Sequence, residues 1–186
     1  MENQLFVTDR HAFREWLATH PDQKECWVAL KRGRPTDDTC FWYIDAVEEA
    51  LCLGWIDSTQ KKIDGVIWQR FSPRKKSSPC TELNKERARR LRRLGLMTPQ
   101  GLAVLPDLDA PFRMDPFVLS ALKKARVYSK FCTFPPLYQR VRSYNVAFYR
   151  SRDPVSYERA LERLLQATKE GKLYGEWNDY GRLTEE

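Results

Sequence analysis

The chain has 186 residues, 42% of them hydrophobic, which is enough to bury one good core or two small ones without metals or disulfides. Five cysteines at 26, 40, 52, 80 and 132, odd in number and with no Cys-x-x-Cys pair, argue for reduced thiols inside a cell. A net charge of +7, no basic-then-apolar leader after Met1 and no apolar run approaching ~18 residues predict a cytoplasmic, basic protein without a transmembrane segment. Thr8 or Asp9 can cap a first helix with Phe13, Trp16 and Leu17 on one side, ending near His20-Pro21. Glu25 to Lys31 is β-prone and Gly33-Arg34-Pro35 stops it. From Trp42 to Leu53, Tyr43, Val47, Ala50 and Leu51 keep helical spacing with Asp45, Glu48 and Glu49 on the outer arc, and Gly54 sits where a helix end favours positive φ.

Two β-prone runs follow, Trp55 to Ile63 and Val66 to Phe71, joined at Asp64-Gly65, a dipeptide suited to a tight hairpin turn. Alternation in the second run puts Val66, Trp68 and Arg70 on one face and Ile67, Gln69 and Phe71 on the other, so a cation or an amide must lie among apolar neighbours. Thr81 can cap a helix over 82–94 with Leu83, Ala88, Leu91 and Leu94 in one arc and Lys85, Arg89, Arg92 and Arg93 opposite. Thr98-Pro99 starts a short helix, and three prolines with three aspartates over 106–116 read as a connection. Helices are expected from Pro116 toward Arg126, from Pro135-Pro136 and from Asp153-Pro154, the last stopped by Gly171. Residues 172–186 have no clear period.

The fold class expected is α+β, a small antiparallel sheet with a central hairpin packed by helices, followed by a C-terminal helical unit. The run Tyr43-Ile44-Asp45-Ala46-Val47-Glu48-Glu49-Ala50-Leu51-Cys52-Leu53-Gly54-Trp55-Ile56-Asp57 carries a further signal, together with Gln69-Arg70-Phe71-Ser72-Pro73-Arg74-Lys75, Asn84-Lys85-Glu86-Arg87 and Gly95-Leu96-Met97-Thr98-Pro99-Gln100-Gly101. In these segments the chain resembles the YdeI/OmpD-associated family, also called bacteriocin-protection proteins, from about residue 5 to about 105. The resemblance implies a YdeI-like α+β domain over 1–105, a linker over 106–115, an OmpD-associated-type helical region over 116–171 and a tail over 172–186. It also implies a role in protection against stress or antimicrobial peptides, and brings no agreed catalytic mechanism with it.

The residues themselves narrow the chemistry. Residues 61–95 hold twelve Lys or Arg against three acids, a field that attracts nucleic acid, phosphorylated ligands, acidic proteins or an anionic membrane surface. The only histidines, His11 and His20, point in different directions on a helix, so no metal site is expected, and neither Ser58 nor Cys52 has an evident base. Neither Gly-rich nucleotide cradle is present, and no cofactor is expected.

What remains is a candidate site of Trp55, Asp57, Lys61, Gln69, Arg70, Arg74 and Lys75. Paired N–H donors of Arg70 and Arg74 can hold a carboxylate or phosphate, Trp55 or Trp68 can stack on a planar group, and Asp57 can orient an arginine or accept a ligand's proton. The bland alternative is that Asp57 and Arg70 pair across the hairpin while Trp55 fills the core. Three functions stay open: a non-catalytic binding or protective protein that takes an anionic small molecule or an acidic partner, a nucleic-acid-binding protein using Lys85, Arg89, Arg92 and Arg93, and an enzyme with Asp57 as general base.

Overall fold

The computed structural model describes residues 2–37 and 39–184. In chain order these form β1 (Gln4–Leu5), α1 (Arg10–Thr19), β2 (Cys26–Ala29), α2 (Tyr43–Cys52), β3 (Trp55–Ile63), β4 (Val66–Pro73), α3 (Glu82–Arg93), α4 (Pro99–Ala103), α5 (Pro116–Lys124), α6 (Tyr128–Phe131), α7 (Pro136–Tyr149) and α8 (Pro154–Glu170), with a 3-10 turn at Asp179–Gly181. The chain divides into two compact units, one of residues up to 80 with 87–108, the other of 81–86 with 109–184. The fold is α+β.

In the first unit the strand order is β1-β2-β4-β3. All neighbours are antiparallel except β1 and β2, which run parallel, so the sheet is mixed. Asp64 and Gly65 take φ of 50° and 82° and close the β3–β4 hairpin, the positive angles that a tight right-twisted hairpin needs. Asp9 caps α1 by accepting from the backbone N–H groups of His11 and Ala12, both at 2.9 Å. That seats Phe13 and Leu17 on the sheet with Val28, Val47, Leu51, Trp55, Phe71 and Leu91. The Thr98 backbone N–H and hydroxyl both donate to the carbonyl of Cys52, docking α4 on the end of α2. Gly101 lies so close there that a Cβ would overlap the Cys52 carbonyl oxygen.

The outer arc expected for α2 is not solvated. Glu48 is fully buried and Glu49 nearly so. Arg10 donates to Glu49 through Nε and a terminal nitrogen at 2.7 and 2.5 Å, Arg14 reaches the other oxygen of Glu49 at 2.7 Å, and Arg90 reaches Glu48 at 3.1 Å. Helical spacing finds the apolar arc of α2 but cannot reveal that α1 and α3 bring arginines onto the opposite one. Leu94 departs in the other direction: it shares the arc of Ala88 and Leu91 yet is 54% exposed, because it lies past the end of α3.

The second unit is helical. Asp115 and Asp153 cap α5 and α8 with proline at the first turn, and Gly171 ends α8 at φ 74°. Val118, Leu122, Phe131, Tyr138, Val146 and Leu164 make its main core. The aperiodic tail is packed rather than loose: Tyr174 and Trp177 meet Tyr138 edge-on at 6.1 and 5.7 Å, and Leu183 joins Leu137 and Val141. Glu185 and Glu186 lie outside the described residues. The expected connection over 106–115 begins anchored to the first unit, since Leu108 is buried and its carbonyl accepts from Arg89 Nε at 2.8 Å.

Candidate functional site

The seven residues singled out from the sequence fall in three places. Trp55, Asp57 and Gln69 lie on the sheet face that packs on the helices, paired in register with the strand residues whose side chains form the core. Trp55 is itself core, edge-on to Trp16 at 5.9 Å. Arg70 and Lys61 are on the other face. There Arg70 forms a two-pronged pair with Glu25, at 2.7 Å from Nε and 2.6 Å from a terminal nitrogen, and Lys61 sits 4.9 Å from the ring centre of Trp27. Arg74 is buried beyond the end of the hairpin and donates to the carbonyls of Ser78 and Pro79, so it staples its own loop, while Lys75 is exposed. Arg70 therefore pairs with Glu25 of the chain before β2 rather than with Asp57.

On the helix-packed face the structure assembles a different set around Gln69. The pairing of β3 and β4 slips between Asp57 and Gln60, so Ser58 and Thr59 form a bulge opposite Arg70. The Gln69 amide is buried, and its nitrogen donates to the carbonyls of Ser58 and Thr59 at 3.1 and 3.2 Å, supplying the donors that the interrupted ladder lacks. Its oxygen accepts from a terminal nitrogen of Arg32 at 2.5 Å. The Arg32 guanidinium also stacks on the ring of Tyr43, 3.9 Å from its centre, and the Tyr43 hydroxyl donates to one oxygen of Asp57 at 2.6 Å.

Burial, then the Asp57 charge and hydrogen bond, push the Tyr43 phenol above its ordinary pKa, against the pull of Arg87 and Arg32. It stays a donor at neutral pH, and Asp57 keeps its other oxygen for a further contact. Arg32 is exposed, and Gln69 is its one hydrogen-bond partner among the described residues. An exposed arginine held by a buried amide and an aromatic ring has the chemistry to pair with a carboxylate or phosphate. Arg32 lies in the turn region after β2, where no period marks it, and in the sequence Tyr43 looks like one more helical position of α2. The signal that could have found them is Gln69, an amide required by strand alternation to sit among apolar residues.

The four basic residues assigned to nucleic acid all lie on α3, and two of them are engaged by groups of the chain itself. Lys85 pairs with Glu82 at 2.6 Å in the second unit, Arg89 holds the Leu108 carbonyl, and Arg92 and Arg93 are exposed at the end of α3 in the first unit. Among the described residues no three His, Cys, Asp or Glu side chains converge to hold a metal ion, and no helix is long and apolar enough to cross a membrane.

The first unit is thus an α+β unit with a bulged hairpin and an exposed arginine stacked on an aromatic ring. The chain belongs to the family described as a domain of unknown function, DUF8412, which matches residues 5–104 and so spans Arg32, Tyr43, Asp57 and Gln69. No curated protein and no solved structure matches the chain.

Proposed function

We propose that this is a non-catalytic binding protein that captures an anionic small molecule on Arg32 in its DUF8412 unit. The observation that carries this reading is the Arg32 guanidinium, exposed yet fixed at one terminal nitrogen by the buried Gln69 amide and across its face by Tyr43. Preorganisation of this kind lowers the ordering cost of binding, because the side chain has given up its rotamer freedom before the ligand arrives. Asp57, held at one oxygen by Tyr43, offers the other to a donor on the ligand. The five free cysteines support a reducing, cytoplasmic setting. Capture of this kind is the chemistry through which the protection against stress or antimicrobial peptides suggested by the resemblance would operate.

The other two readings have less support. Nucleic-acid binding loses two of its four proposed cations to internal partners, Glu82 and the Leu108 carbonyl. Asp57 as general base has one oxygen already engaged by a phenol. Titrating the full chain with a panel of carboxylates and phosphates by calorimetry tests the capture reading. At least one member of the panel should bind at least about tenfold more weakly to Arg32→Ala, the loss of one charge-assisted hydrogen-bonding group. No binding, or unchanged affinity in Arg32→Ala for every member that binds, overturns it.

A further inference from the structure

The second unit contains a cavity of about 580 Å³ between α7 and α8, lined among others by Arg142, Arg159, Arg163, Tyr144, Phe148 and Tyr174. A volume of this size lies within the range of small-molecule sites. Three lining residues are arginines and none is acidic. The unusual member is Arg142. Its side chain is nine-tenths buried, yet its Nε and one terminal nitrogen have no hydrogen-bond partner.

A buried guanidinium without an acid is expensive, because desolvation penalises the charge and no protein group returns the loss. What holds it is aromatic. Its central carbon lies 4.7 Å from the ring centre of Tyr174 and 5.8 Å from that of Tyr138. Arg163 rests on the same Tyr174 ring at 4.4 Å, so two like charges share one ring. Burial, aided by the nearby Arg163 charge, holds Arg142 below the ordinary arginine pKa, and the acid that acts on it, Glu176, does so only weakly.

The backbone is shaped around this side chain as well. Gly175 takes φ 66°, and a Cβ there would collide with the unpartnered terminal nitrogen of Arg142. Any other residue would displace the guanidinium. On α8, Arg159 and Arg163 are four apart and share a helix face, which lines up a second and third cation along one wall. Neither has a carboxylate within ion-pair distance among the described residues. Tyr144, Phe148 and Tyr149 supply an apolar and aromatic wall to the same cavity.

We infer that this cavity is a second ligand site, one that takes a small organic phosphate, its phosphoryl group on Arg142, Arg163 and Arg159 and its flat or apolar body against Tyr144, Phe148 and Tyr149. A doubly charged phosphoryl group matches a cluster of three cations better than a single carboxylate does, and it supplies acceptors to the two idle nitrogens of Arg142. The inference is independent of Arg32.

The test is calorimetric titration of the full chain with phenyl phosphate, with inorganic phosphate and benzoate as separate arms. Phenyl phosphate is expected to bind at least about tenfold more tightly than either, since each of the other two lacks one half of the recognition. Arg163→Ala should weaken it at least about tenfold. Arg142→Met should abolish it while leaving the unliganded melting temperature unchanged or higher, because an apolar side chain of similar length replaces a buried charge that has no partner. Three results overturn the inference: no binding of phenyl phosphate, equal binding in Arg163→Ala, or a lowered melting temperature in Arg142→Met, which would make the arginine structural. Benzoate binding as tightly as phenyl phosphate would overturn the phosphate assignment.

Discussion

At the scale of single residues, Gln69 does the most to connect fold and site. Its amide nitrogen satisfies two carbonyls left over by the Ser58–Thr59 bulge, and its oxygen fixes Arg32. Replacing it with leucine keeps the volume and removes both functions. Gln69→Leu should destabilise the protein by about 1–3 kcal/mol, the loss expected when buried acceptors go unsatisfied, read as a lowered midpoint in urea unfolding. The sequence made Gln69 legible through strand alternation, which required an amide on the core side. It could not reveal the bulge, since two consecutive polar residues in β3 look the same in and out of register. Arg70 and Arg74 illustrate the limit from the other side. Both were legible as cations able to grip an anion, but Arg70 pairs with Glu25, and Arg74 is buried with one terminal nitrogen on the carbonyls of Ser78 and Pro79, placements set by strand register and loop path.

Among the elements, α2 is where sequence pattern and three-dimensional packing diverge most. Its apolar spacing marked the helix and its end at Gly54 correctly, since both depend on local geometry. The fate of Glu48 and Glu49 depends on arginines 35 to 42 residues away in either direction, and no local period encodes that. Glu49 now relies on Arg10 and Arg14 as its counter-charges. Arg10→Ala with Arg14→Ala leaves this buried carboxylate without them, and the pair should destabilise the fold by about 3–5 kcal/mol, measured by chemical unfolding. A loss below about 1 kcal/mol, typical of exposed ion pairs, would mean that water reaches Glu49 and that α2 is not sealed. The proline and aspartate starts of α5 and α8 were readable for the opposite reason, because capping is decided within one turn.

For the molecule as a whole, two compact units carry two different arrangements of arginine and aromatic rings. The first, which the DUF8412 match spans almost entirely, holds the exposed Arg32 against Gln69 and Tyr43; the second buries Arg142 against Tyr174, with the exposed Arg163 on the same ring. The α+β class and the helical C-terminal part were legible from periodicity and caps. The packing of the tail was not, since Tyr174, Trp177 and Leu183 reach their partners without a regular element to give them a period. Burial raises the Cys26 thiol to about 12, in keeping with a core cysteine that stays protonated. The central claim, anion capture in the first unit, is tested most directly by mapping backbone amide shifts in a ¹⁵N-labelled full chain titrated with citrate. Saturable changes centred on Arg32, Tyr43, Gln69 and the Ser58–Thr59 bulge are expected. Changes confined to the exposed cations Lys75, Arg92 and Arg93, or no saturable change in the first unit, would contradict it.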